Sequence, residues 1–265
     1  MVLTNVRAPA VVRARRLLKR GLREEDNLFL TEGPQACREA ADSAKLTELF
    51  LTSDALDRYP DIADSAVACG VTPTVCTGAV IEQMSSTVTP QGMVGVAKMW
   101  RNEIDEVFKP GTTLAVALTA VRDPGNAGSV VRVADAAGAS GVVFSKDSVD
   151  LFNPKVVRAS VGSLFHLPIA TGHELSEVIA KAKSLGMQIL AADGSGVDLY
   201  KDVQLTKPTL WVFGNEAWGI PSEVLDQVDQ VVAIPIYGQA ESLNLATASA
   251  VCLYASATAQ RLPSK

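Results

Sequence analysis

Short apolar runs and helix-period stretches alternate along the first part of the chain. Residues 29–32 and 46–52 read as strands with a helix over 34–44 between them, and helix and strand signals alternate again through 54–75. The glycine-punctuated apolar run 92–98 reads as a closing strand. Ahead of it, residues 8–20 read as a basic helix with a narrow apolar face of Val11, Val12, Leu17 and Leu18. The charged stretch 101–110 ends in Pro110 and Gly111, which marks a linker. From residue 112 the rhythm becomes regular. Apolar strands are expected at 114–121, 141–145, 167–170, 188–193, 210–214 and 231–236. Helical patterns fall at 127–137, 154–164, 174–185 and 221–228, with a final helix over 243–259. Continuously apolar strands separated by helices predict an α/β fold whose parallel sheet is covered on both faces. The expected organisation is a basic helical extension over 1–23, a smaller α/β domain over 24–100, a linker over 101–111 and a larger α/β domain over 112–265.

Charge is unevenly placed. The net charge of −5 divides into +7 for the first 23 residues, which hold Arg7, Arg13, Arg15, Arg16, Lys19, Arg20, Arg23 and no acid, and −12 for the remainder. Such asymmetry fits a polyanionic partner, although a solvated terminal helix would look the same. The cysteines Cys37, Cys69, Cys76 and Cys252 are scattered, and His166 and His173 complete no ligand cluster, so neither a disulfide framework nor a metal site is expected. Reduced thiols and the lack of an apolar signal core suggest a cytoplasmic setting. The uncharged run 242–260 carries too many polar groups for a membrane span.

Three segments carry candidate chemistry. The first follows the strand at 114–121: Asp123, Pro124, Gly125, Asn126 and Gly128 open a helix that later presents Arg132. Asn126 is a candidate N-cap, and the glycines would let the turn approach a ligand. Arg132 could bind a phosphate or carboxylate bidentately, or simply pair with Asp135 on the same helix. The second segment runs Trp211, Val212, Phe213, Gly214, Asn215, Glu216, with Gly219 and Pro221 shaping the exit. Ligands of open parallel sheets bind at the carboxyl ends of strands, and a carboxylate there is costly unless paired or exposed in a pocket. The third segment leaves a strand at Ile234 and Ile236 and reaches Ser242, Leu243 and Asn244, either polar residue able to cap the last helix.

In this order and spacing the three segments resemble the motifs of the SpoU/TrmH family of SPOUT methyltransferases, over about residues 112–260. Residues 24–98 resemble that family's substrate-binding domain, which is related to a ribosomal-protein RNA-binding fold. The resemblance implies a deep trefoil knot in the C-terminal domain, which general topology rules would not predict. It implies S-adenosylmethionine as methyl donor, held by Gly214, Asn215, Glu216, Gly219, Ile234, Ile236, Leu243 and Asn244, with Ala191 and Ala192 as further wall. It places catalytic roles on Arg132, Asn126, Glu216, Ser242 and Asn244. It implies a homodimer through the knot domain, no metal, and methylation of an RNA ribose 2′-hydroxyl. Ribosomal (23S) RNA is the favoured substrate, with transfer RNA the alternative. RNA contacts are expected from Arg7, Arg13, Arg16, Lys19, Arg20, Lys155 and Arg158. Ala217 departs from the glycine of many relatives. An arginine is effectively always protonated, so Arg132 is expected to orient phosphate and stabilise a developing alkoxide rather than act as a base.

Two other classes compete with this reading. A nicotinamide-dependent oxidoreductase is suggested by Gly125, Gly128 and Asp147 after a strand, but Asp123 occupies the first glycine position of that fingerprint. A non-catalytic RNA-binding protein would not need the whole donor motif set.

Overall fold

The computed structural model describes residues 2–262; the ends of the outermost expected spans, residue 1 and residues 263–265, lie outside the described residues. Two compact units divide the chain. One takes the chain up to Trp100 together with Asp150–Phe165, and the other takes Arg101–Val149 and continues from His166.

The first unit opens with α1 (Pro9–Arg16) and α2 (Arg20–Asp26), where a single helix over 8–20 is expected. Lys19 turns extended between them. Val11, Ala14 and Leu17 form the buried stripe, while Val12 is 47% exposed and so lies off the expected apolar face. Next come β1 (Leu28–Glu32), α3 (Pro34–Asp42), β2 (Leu46–Leu51), α4 (Ser53–Arg58), α5 (Pro60–Ala68), β3 (Thr74–Val75), α6 (Gly78–Met84) and β4 (Met93–Lys98). The sheet order is β1-β4-β2-β3, with β4 antiparallel to β1 and β2. Leu30, Phe50, Val94 and Val96 pack against the α1 stripe and against Val80, Ile81 and Met84 of α6.

The second unit begins inside the expected linker. There α7 (Ile104–Val107) forms behind a capping box of Glu103 and Glu106, and Val107 and Phe108 are buried in the core. Then come β5 (Leu114–Leu118), α8 (Pro124–Ala136) and β6 (Val142–Ser145). The chain next supplies α9 (Pro154–Ser160) and a short 3-10 turn, Ser163–Phe165, to the first unit. The helix expected to reach 164 stops because Val161 and Gly162 both take left-handed backbone, φ 50° and 94°. The sequence pattern assigns 150–165 to the larger domain; its packing explains the difference. Phe152 lies 4.7 Å from Phe29, and Phe165 lies 5.4 Å from Trp100. The buried Arg23 pairs with Asp150, and Arg158 pairs with Glu32 at 3.4 Å.

The second unit resumes with β7 (Ile169–His173), α10 (Leu175–Ser184), β8 (Gln188–Asp198), β9 (Thr209–Phe213), α11 (Ser222–Leu225), β10 (Gln230–Ala233) and α12 (Leu245–Arg261). Its six strands run in the order β10-β8-β9-β5-β6-β7, each pair parallel. Alternate residues feed opposite faces. Ala115, Ala117, Leu210 and Val212 join the core under α10. On the other side Trp211 donates its indole N–H to Ser256 Oγ of α12 at 2.9 Å. Among the described residues no helix is long and apolar enough to cross a membrane, and no group of side chains could hold a metal ion.

Candidate active site

Because all pairs are parallel, the loops after β8, β9 and β10 leave the same sheet edge. The order of the sheet reverses at β5, beside β9, where open α/β sheets bind ligands. β8 is distorted there: Ala191 pairs with Val231, yet the next residue of β10 pairs with Val197. The intervening residues bow out, which turns Ala192, Asp193 and Gly194 into a wall.

A cavity of about 420 Å³ occupies this edge. Of the expected donor residues, Ala192, Gly214, Asn215, Glu216, Gly219, Ile234, Ile236, Leu243 and Asn244 line it. Asn126 and Ser242 line it too. Ala191 does not; it is fully buried within the core of the sheet. Arg132 does not line it either. It is exposed on α8 and makes no ion pair with Asp135, whose carboxylate meets His166 Nδ1 at 2.8 Å instead. Arg132 lies six helical steps beyond Asn126, about 9 Å of rise and about 240° of rotation, so the two point in different directions. Sequence reasoning missed Gly194 and Glu241, which also line the cavity. An Asp-Gly pair at a strand's end was the available signal for the first.

One run of hydrogen bonds joins the three segments. Asn244 caps α12, its Oδ1 accepting from Ala246 N at 2.9 Å. That fixes its amide, so Nδ2 donates to Asn126 Oδ1 at 3.0 Å. Asn126 is thereby oriented in turn, and its Nδ2 donates to Glu216 Oε1 at 2.7 Å. A helix cap thus sets the direction of every amide in the relay. Ser242, the other candidate cap, is not one. Asn126 is not a cap either: Asp123 caps α8, accepting from Asn126 N at 2.8 Å. Gly125 and Gly128 lie inside α8 rather than in a phosphate-binding loop ahead of it.

The loop after β9 is closed by hydrogen bonds. Asn215 and Gly219 exchange both backbone hydrogen bonds, each 2.9 Å, and buried Asn215 donates Nδ2 to Ala120 O at 2.7 Å. Gly219 supplies the left-handed turn at φ 68°, whereas Ala217 is not among the positive-φ residues and fits without strain. Gly214 must lack a side chain for packing reasons: a Cβ would come within 2.5 Å of Gly219 O and 2.6 Å of Ile220 Cγ1. Among the described residues the cavity's charged lining is Asp193, Glu216 and Glu241, with no cation. Such a site favours a cationic ligand and opposes a dinucleotide's diphosphate.

The expected RNA contacts lie elsewhere. Arg13, Arg16 and Arg20 are exposed and meet Glu48, Glu25 and Glu24 at 3.8, 3.5 and 2.8 Å. Arg7 and Lys19 are exposed, and Lys155 lies on the surface of α9. Arg158 is committed, pairing with Glu32 and donating to Ser86 Oγ at 2.9 Å. The thiols of Cys37 and Cys252 are pushed up to about 12 by burial, and that of Cys76 to about 11.

Comparison with known proteins agrees with this geometry. Residues 113–254 match the model of the SpoU rRNA Methylase family, and residues 8–95 match an MRM3-like substrate binding domain. The chain is 31% identical, over 88% of its length and 89% of the other's, to the 23S rRNA (guanosine(2553)-2′-O)-methyltransferase RlmP of Bacillus subtilis. It resembles an AdoMet-bound rRNA methyltransferase from Sinorhizobium meliloti with TM-score 0.83 and 32% identity, covering 97% of both chains. The AdoMet complex of the SpoU methyltransferase AviRb from Streptomyces viridochromogenes gives TM-score 0.82 at 27% identity, covering 95% of this chain and 98% of that one.

Proposed function

The chain belongs to the SpoU rRNA methylase family, and from that premise we propose that it transfers a methyl group from S-adenosylmethionine to a ribose 2′-hydroxyl of ribosomal RNA. The observation that carries this reading is the Asn244–Asn126–Glu216 relay across an acid-lined cavity at the sheet's carboxyl edge. The residues present fit the donor. Ile234, Ile236 and Leu243 offer apolar walls, the carboxylates suit its positive charge, and Gly194 has nothing within 4 Å of where a Cβ would sit, leaving backbone open to a ligand. When bound, the donor supplies an electrophilic methyl on a sulfonium.

The chain's own residues do the rest. Gly214, Asn215, Glu216, Gly219 and Ala192 shape and hold the donor site. Asn126 and Asn244 keep the Glu216 carboxylate in place, with Ser242 beside them. Glu216 is exposed and only its Oε1 takes the Asn126 hydrogen bond, so acceptor capacity remains for an incoming group. Arg132 is a fixed cation that orients a backbone phosphate and stabilises charge developing on the 2′-oxygen. In-line placement supplies much of the remaining rate.

Arg132 stands outside the cavity without an acidic partner among the described residues, which favours a homodimer through the C-terminal knotted domain in which a second copy completes the site. Arg7, Lys19, Lys155 and the weakly paired Arg13, Arg16 and Arg20 engage RNA phosphates. Exposed ion pairs contribute about 0–1 kcal/mol, so these arginines exchange an acid for a phosphate readily. In this reading residues 24–100, completed by α9, select the RNA, the domain from 112 onward performs the chemistry, and the protein works in the cytoplasm. Incubating it with tritiated donor and ribosomal RNA should give a labelled 2′-O-methyl ribose in 23S RNA. Label confined to a base, to transfer RNA alone or to neither would reject the reading.

A further inference from the structure

Beside the acid-lined cavity stands a tryptophan that the relay does not use. Trp218 is 69% exposed, although it sits on a loop closed by backbone hydrogen bonds between Asn215 and Gly219. Its backbone N–H donates to Asn215 Oδ1 at 3.3 Å, and the next residue, Gly219, closes the paired turn back to Asn215. One side of the indole is taken: the Arg122 guanidinium lies 4.9 Å from the ring centroid. Arg122 comes just before the Asp123 cap of α8, is exposed, and makes no ion pair among the described residues. A surface tryptophan gains little from one exposed cation contact, so that contact orients the ring without accounting for its placement.

We propose that the Trp218–Arg122 pair is a stacking platform for an RNA base next to the ribose being methylated, with Arg122 also available to that nucleotide's phosphate. The inference rests on the RNA methyltransferase reading above and names how the substrate is positioned. Three observations carry it. The ring's loop is closed by the Asn215–Gly219 hydrogen bonds and its face is met by Arg122, so little freedom is lost on stacking. The cation beneath it is unneutralised, which suits a polyanion and not an apolar partner. Asn215 and Glu216 of the same loop line the cavity, so a base on Trp218 places its own or a neighbouring ribose at the cavity mouth. Stacking on an aromatic face tolerates any base, so the pair sets position and leaves sequence choice to other contacts.

Fluorescence tests this directly, because Trp211 is fully buried, Trp100 is partly buried under Lys45, and Trp218 is exposed. Donor-loaded full-length protein is titrated with single-stranded hexa-adenylate and with an abasic oligomer of the same length. The platform requires quenching by the first and little by the second, with the base-dependent signal lost in Trp218→Phe. On ribosomal RNA, Trp218→Ala should raise KM about tenfold or more, with partial recovery in Trp218→Phe and unchanged donor affinity. Equal quenching by the abasic oligomer, or an unchanged KM in Trp218→Ala, overturns the proposal. So does an indole already shielded from acrylamide in RNA-free protein, which would mean that a second copy covers it. Wild-type methyl transfer is measured in the same preparation. Its absence strikes the enzymatic reading, while its presence with an unchanged Trp218→Ala KM strikes the platform alone.

Discussion

Glu32 ends the strand β1 and Glu216 follows the strand β9, and both are tied to distant segments, but their hydrogen-bond inventories differ. Glu32, in the first unit, is 4% exposed in its side chain. Ser85 Oγ donates to it at 2.7 Å, Ser86 donates through N at 3.1 Å and Oγ at 2.7 Å, and Arg158 adds its charge. That carboxylate is saturated and serves to fasten α9 to β1 and to the loop after α6. Glu216, in the second unit, is exposed and oriented by one amide. A carboxylate with every acceptor site filled holds structure; one that is aimed but underused is placed to meet something else.

The largest expected effect tests the fastening side. Asp150→Ala leaves the Arg23 guanidinium, 2% exposed, without its charge partner. We expect a loss of about 3–5 kcal/mol in denaturant unfolding of the first unit. Donor binding by calorimetry should persist under native conditions, and its loss without unfolding would break the distinction between the two carboxylate networks. A smaller effect is expected from Gly214→Ala, where the new Cβ forces the Gly219–Ile220 backbone aside. Stability should fall by about 1–3 kcal/mol, with a matching loss of donor affinity. Gly194→Ala, with open space around its Cβ position, should leave melting unchanged, so any affinity it loses reports contact with the ligand itself. A small change in stability is also expected for Asn126→Ala, which removes the middle of an exposed relay. Melting should move little, while turnover should fall about 10- to 100-fold, as for loss of a group that positions charge in the reaction. A large melting shift with intact turnover would reverse the assignment.

Much of this was legible in the chain. Continuously apolar strands such as Leu114–Leu118 and Thr209–Phe213 announced a parallel sheet, because both faces had to be covered. The loops around Asn126, Glu216 and Asn244 were legible from glycine, proline and polar residues placed at strand ends. Three features were hidden. The cap of α8 fell to Asp123 rather than Asn126, since Asp123 stands ahead of a proline at N1 and either polar residue matches the local pattern. The presumed linker held a short helix, and Val107 at its end and Phe108 just after it are buried, a role that three apolar residues among charges do not declare. The seven N-terminal cations read as one basic surface, yet Arg23 is buried against a carboxylate more than a hundred residues away.

By itself the sequence determined the α/β architecture, the three chemical segments and their order, because strand burial, helix capping and turn chemistry act over a few residues. Only the tertiary structure decided which polar groups meet. It gave Asn126 to Glu216 and Asn244, left Arg132 outside the cavity, and lent α9 to the unit built from the first hundred residues. Those outcomes depend on hydrogen bonds and charge pairs between segments far apart in the chain. No local pattern encodes which of several acids an arginine will reach.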